Sequence, residues 1–286
     1  MAKLIWDAVG SRLYETGTKQ GVLYPQASNG TYPEGVAWNG LTGFSESPDG
    51  GDATDIWADD IKYLSIRARE NFKGTITAYT YPDEWRQCDG SGAPIPGISI
   101  GQQSRKGFGL SYVTTVGNDT EFEDFGYKIH LIWGATASPS SKDYKTINDS
   151  PEAIEFSWEI TTTPVNVTGF KPTAHMVIDS TKFVTKADKE KLAFLEAVLY
   201  GRDASDGASA TYKLASSGGA EFQEEGVDYY TESGGTYTKV SVPDEDEFTT
   251  YYVVDTPASG AVNAMTAHLP TPDQVIYILA NGSEQT

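Results

Sequence analysis

The chain of 286 residues is long enough for one large β domain or two smaller domains with cores of their own. Its 29 glycines, 14 prolines and 17 tyrosines favour short strands joined by many turns over a helical bundle. The formal net charge of −19 repels phosphate and argues against stable nucleic-acid binding, though not against DNA passing close by. No apolar run is long enough to span a bilayer. The N-terminal MAKLIWDAVGSRLYETG has no signal-peptide core, so a soluble product made in the cytoplasm is expected. One cysteine, Cys88, forbids an intrachain disulfide and reads as a buried apolar residue, not a nucleophile.

In chain order, residues 1–30 are weakly patterned and read as an arm or an irregular hairpin. The glycine-rich FSESPDGGDATDIWADD at 44–60 reads as a long exposed loop. Strand signals follow. Leu64, Ile66 and Ala68 alternate with Tyr63, Ser65, Arg67 and Arg69. Ile76 and Ala78 alternate with Thr75, Thr77 and Tyr79. Phe108, Leu110 and Tyr112 face away from Gly109 and Ser111. Tyr127, Ile129, Leu131 and Trp133 oppose Lys128 and His130. The most regular run is 153–163, where Ile154, Phe156, Trp158 and Ile160 oppose Glu155, Ser157, Glu159 and Thr161, the mark of a half-buried antiparallel strand. A sixth strand is expected over 173–179. One helix is predicted, with Thr185 and Asp188 as an acidic capping box. Leu192, Leu195 and Leu199 form its apolar stripe, widened by Ala193, Phe194 and Val198, and Gly201 stops it.

After Gly201 the composition changes. Residues 202–262 hold 12 acidic and 3 basic residues, a net of −9. Two strand-like runs, 227–232 and 236–242, flank Ser233-Gly234-Gly235, a hairpin signal. Two Tyr-Tyr pairs, 229–230 and 251–252, each follow a phenylalanine, Phe222 and Phe248, as a weak repeat. The closing HLPTPDQVIYILANG opens either a helix at Pro272 or a strand over 275–279.

No active site emerges. None of His130, His175 and His268 sits at metal-ligand spacing in the sequence, and surface or packed histidines are the reading. There is no GxSxG, no HExxH and no phosphate-cradling glycine loop. Asp49, Asp52 and Asp55 share one stretch but miss the EF-hand spacing, so a solvated acidic loop is expected, not a calcium site. Glu155 and Glu159 would lie about 13 Å apart, beyond what paired glycosidase carboxylates need. No catalytic residue, metal or cofactor is expected.

Several segments, in order, resemble the major tail proteins of siphophages that infect Gram-positive bacteria. They include GVAWNGLTGFSESPDGG from Gly35 through to YPDEW, CDG at 88–90, FGLSYVTTVGNDT from Phe108 and GYKIHLIWGATASPSS from Gly126. TINDSPEAIEFSWEITTTPV from Thr146, PTAHMVIDST at 172–181, KLAFLEAVLYG at 191–201 and LPTPDQVI at 269–276 continue the match. The resemblance covers nearly all of 20–201 and the terminal segment. It implies a mainly β protomer, an antiparallel sandwich or barrel with one flanking helix. Such protomers form hexameric rings stacked into a tail tube around a tape-measure protein. Tail terminator and distal tail proteins sit at the ends, and DNA transits without specific binding. It would be a virion component, assembled in the host cytoplasm, and no enzyme.

Within that frame, Ser47, Asp49, Asp52, Thr54 and Asp55 of the 44–60 loop are expected to order against an adjacent subunit. Glu155, Ser157, Glu159 and Thr161, with Thr75 and Thr77, are expected to line the channel, because a face past which DNA slides should be hydrophilic and not basic. Arg67 and Arg69 compete for that place. The chain departs from the family pattern at 203–262, read as an inserted surface-exposed β module between the tube domain (1–202) and a returning C-terminal segment (263–286). The rival reading is a non-polymerising carbohydrate-binding β-sandwich, with the insert's tyrosines as its platform.

Overall fold

The computed structural model describes residues 4–140, 142–144, 146–147, 153–205, 211–214, 229–240, 252–256 and 262–285. The protein is mainly β, with antiparallel sheets and few helices. It divides into two compact units, one of Met1–Arg202 with Thr266–Thr286 and one of Asp203–Met265.

The first unit opens with β1 (Tyr14–Pro25), a 12-residue strand. The expectation of an arm or irregular hairpin over 1–30 is therefore corrected from Tyr14 onward, while residues 4–13 run irregularly as an arm. Bulges between Thr16 and Val22 break the strand's alternation, which hid it from a period-two reading. Strand β2 (Val36–Trp38) pairs with β1, and the Asn39-Gly40 turn leads into β3 (Leu41–Glu46). Then come β4 (Asp49–Gly50), β5 (Ala53–Ala58), β6 (Ile61–Arg67), β7 (Glu70–Asn71) and β8 (Lys73–Ala78). After α1 (Arg86–Asp89) follow β9 (Phe108–Asn118), β10 (Phe122–Ala137), β11 (Phe156–Thr162), β12 (His175–Asp179) and α2 (Lys186–Tyr200).

Eight of these strands form one sheet, in the order β2-β1-β9-β10-β11-β8-β3, with β12 beside β10. The end strands β2 and β3 are joined by two residues, so the sheet must curl around one interior. Leu23, Trp38, Ile76, Trp85, Cys88, Phe108, Leu110, Ile132, Trp158 and Ile160 fill it. Trp85 meets Trp38 at 4.7 Å and Trp158 at 5.4 Å between ring centroids. Strand β10 forks. Its far end pairs with β11 through Ala135–Ala137, and its middle with β12 through Lys128–Ile132. Gly134 sits at the fork with φ 61°, and a Cβ there would lie 2.2 Å from the Thr163 carbonyl oxygen.

The outer face of β1, β9 and β10 lies under helices. The Tyr24 hydroxyl donates to the Leu199 carbonyl at 2.8 Å, Tyr127 donates to Glu196 at 2.5 Å, and the Trp133 indole donates to the Pro270 carbonyl at 2.9 Å. Burial on both faces makes β9 apolar or small almost throughout. A Cβ at Gly109 would meet Leu269 Cδ2 at 2.3 Å and the Ile132 carbonyl oxygen at 3.2 Å. In α2, Thr185 caps the Asp188 amide, and Leu192, Leu195, Val198 and Leu199 are buried, while Ala193 is exposed. The terminal alternative resolves as a helix, α3 (Pro272–Asn281). Thr271 and Gln274 form a reciprocal capping box, Pro272 opens the first turn, and Gly282 ends the helix at φ 74°.

The 44–60 stretch is not a loop. Strands β5 and β6 form a hairpin over Asp59-Asp60, both left-handed at φ 52° and 62°, a turn type that matches strand twist. Polar letters masked that signal. Among the described residues the hairpin pairs with no other strand, and all residues of β5 and β6 are exposed, so the half-buried face expected for Leu64 and Ile66 is also corrected.

In the second unit, β13 (Thr211–Leu214), β14 (Tyr229–Ser233), β15 (Thr236–Lys239) and β16 (Tyr252–Thr256) form a sheet in the order β13-β16-β14-β15. Gly234 and Gly235, at φ 59° and 82°, make the hairpin turn. Tyr237 and Tyr252 meet edge to face at 5.2 Å. Ser205 and Val262 exchange two backbone hydrogen bonds of 3.0 and 2.9 Å. Phe222, Phe248, Tyr251, Val242, the Asp244–Glu247 acidic run and most of the Ser/Gly/Ala-rich stretch lie outside the described residues. No described helix is long and apolar enough to cross a membrane.

Candidate functional sites: a polar sheet face and a histidine–carboxylate cluster

Strand β11 pairs with β8 so that Ser157 opposes Thr77, Glu159 opposes Thr75 and Thr161 opposes Lys73. Directly opposed residues share a face. Ser157, Glu159, Thr161, Thr75 and Thr77 therefore form one surface, extended by Ser45 of β3 opposite Thr75. Glu155 joins it at the end, where Thr42 Oγ1 donates to Glu155 Oε1 at 2.5 Å and lies 2.9 Å from Thr77 Oγ1. Glu155, Ser157, Glu159 and Thr161 are exposed, while Thr75 and Thr77 are half-buried. Trp158 and Ile160 point the other way, into the core, and hold the strand in register. Among the described residues of these strands, the one cation on this face, Lys73, is ion-paired with Asp49 at 2.5 Å. Arg67 belongs to the separate hairpin and Arg69 follows it, so neither lies in this sheet.

The residues expected to mediate subunit contact are spread over the hairpin and its root. The Ser47 amide donates to the Lys73 carbonyl at 2.9 Å, Asp52 lies just before β5, and Thr54 and Asp55 are on β5 itself. Asp55 accepts from Lys62 and from Ser65, each at 2.7 Å. The lysine bonds hold the carboxyls of Asp49 and Asp55 below the usual carboxylate range. Each is engaged by its own lysine, so Asp49, Asp52 and Asp55 do not converge on a cation.

A second cluster escaped sequence reasoning. His130 on β10 and His175 on β12 are diagonal neighbours, since His130 opposes Val177 and His175 opposes Ile132. Glu46 arrives from the end of β3. His130 Nδ1 lies 3.4 Å from His175 Nε2, and Glu46 Oε1 lies 3.8 Å and 3.6 Å from those two nitrogens. The Tyr112 hydroxyl donates to Glu46 Oε1 at 3.1 Å, and Thr114 Oγ1 bonds His130 Nε2 at 3.0 Å. Stacked rings enclose the cluster: Tyr112 on His130 at 4.5 Å, Phe72 on His175 at 4.6 Å and Phe44 on Tyr112 at 4.9 Å. Burial, and then repulsion from His175, pushes His130 down to about 4, and burial lowers His175 as well, so both rings are neutral near pH 7. Burial and then the Glu46 charge raise Tyr112. The sequence does place His130 and His175 on strands, but the register that joins them is a tertiary fact. His268, by contrast, pairs with Glu284 at 2.8 Å.

No protein-family model matches the chain, and no curated protein matches it.

Proposed function

We propose that the chain is a structural protein that polymerises into stacked hexameric rings, the tube of a long non-contractile phage tail through which DNA is ejected. The order of the resembling segments motivates this reading, and one observation carries it. The β5–β6 hairpin is a two-stranded ribbon that pairs with no other strand among the described residues, yet it displays Ile56, Trp57, Ile61, Tyr63, Leu64 and Ile66. An isolated hairpin is marginal in water, and a contiguous apolar ribbon marks an interaction surface. The occupant that suits it is a second copy of the chain, within or between rings. The N-terminal arm adds exposed Leu4, Ile5, Trp6, Val9 and Leu13 for the same use.

The Glu155–Thr161 face with Thr75 and Thr77 suits the channel wall. It offers hydroxyls and carboxylates, and its single lysine is neutralised, so it adds no counterion-release affinity for DNA. A tape-measure protein would occupy the channel before DNA does, and terminator and distal tail proteins would close the ends. Electron microscopy of the purified full chain tests the proposal. Tubes or stacked rings of one diameter are expected, and replacing residues 53–67 by a short Gly-Ser turn should leave a folded protomer that forms none. Monodisperse monomers of the unaltered chain at high concentration would overturn it.

A further inference from the structure

We propose that Glu46, His130 and His175 bind a divalent transition-metal ion of the Zn²⁺ class where the end of β3 meets β10 and β12. The geometry comes first. For donor atoms separated by 3.4, 3.6 and 3.8 Å, the equidistant point lies about 2.1 Å from each, matching Zn–N and Zn–O bonds of roughly 2.0–2.2 Å. That point lies in the plane of the donors; lifting the ion out of the plane to a tetrahedral position lengthens the bonds only to about 2.2 Å, whereas octahedral neighbours at this spacing would need about 2.5 Å, so the triangle suits a four-coordinate ion. This is the one group of three or more His, Cys, Asp or Glu among the described residues whose ligand atoms converge.

The surroundings are those of a ligand set. In the tautomer that donates Nε2–H to Thr114 Oγ1, 3.0 Å away, His130 turns the Nδ1 lone pair inward, the outer-shell bond typical of metal-bound histidine. Tyr112 and Phe72 clamp the two ring planes. One buried and one half-buried imidazole and a carboxylate thus turn a donor atom each toward one point, and a cation there would bond all three. The Glu46 side chain is 40% exposed and gives the ion an entry path and a water-accessible fourth position. Bound metal would tie β3, which leads into the exposed hairpin, to β10 and β12, with which it shares no ladder. The binding proposal does not depend on the tube reading.

The test uses the full chain, stripped with chelator and dialysed against ZnCl₂, with bound zinc measured by elemental analysis and melting followed with and without metal. One zinc per chain and a raised Tm are expected. Co²⁺ should give the visible absorption of a four-coordinate site. Glu46→Gln and His175→Ala should each weaken binding at least 100-fold, Thr114→Val about 10- to 100-fold as an outer-shell change, and His268→Ala not at all. If the histidine variant fails to fold by circular dichroism, Glu46→Gln and Thr114→Val decide the question. No stoichiometric zinc on the unaltered chain, or binding that survives Glu46→Gln, would overturn the proposal, and either result would leave tube formation unaffected.

Discussion

Strands β9 and β6 have similar counts of apolar letters and opposite fates. In β9 both faces are buried, one by the tryptophan-rich interior and the other by the layer carrying Tyr32 and Leu269. In β6 both faces are open although Ile61, Tyr63, Leu64 and Ile66 lie along it. The first strand's hydrophobicity is spent within the chain and the second's is left for something else. Apolar content alone does not say which; the difference lies in what the flanking elements cover.

Truncating the core should give the largest effect. Trp158→Ala empties the centre of the aromatic cluster and should cost about 3–5 kcal/mol in denaturant unfolding. Gly109→Val should cost about 1–3 kcal/mol, because Leu269 and the Ile132 carbonyl leave no room for a side chain. By contrast, Trp57→Ala, at a side chain 65% exposed, should change protomer stability by no more than roughly 0.5 kcal/mol while reducing tube yield sharply in sedimentation assays. A loss of stability comparable to that of Trp158→Ala would break the contrast between the two regions.

The polar face lies between these extremes. Glu155→Lys combined with Glu159→Lys should leave melting nearly unchanged, since both residues are exposed, and should slow DNA ejection measured by dye release from phage particles. The smallest effect is expected at Cys88. Burial pushes its thiol up to about 12, partly opposed by Lys106, so the thiol stays protonated across the neutral range. A thiol reagent at pH 8 should label it only after unfolding, and rapid labelling of the native chain would show the core around Cys88 to be open.

Where one face is buried and the other wet, the sequence was legible. The alternation of Ile154 to Thr161 announces β11, and Thr185 to Leu199 announces α2 with its cap. Residues buried on both faces misled: His130 reads as polar-face because it alternates with Ile129 and Leu131, yet it points inward with Ile132 against Tyr112. The β5–β6 hairpin was hidden because Asp59-Asp60 is a rarer left-handed turn than Asn-Gly or Asp-Gly. The Glu46 cluster needed three strands placed in space, and no spacing along the chain encodes that.

The paired backbone bonds between Ser205 and Val262 carry a different lesson. They bring the two ends of the second unit together at its threshold, so to the rest of the polypeptide that unit is topologically equivalent to one tight turn. Lengthening or exchanging what lies beyond such a closed neck changes loop entropy only logarithmically, by about 0.6 kcal/mol per doubling. The neck is thus a natural splice point: a foreign domain with adjacent termini could be carried there as cargo, folding on its own schedule and repeated with every copy of the chain.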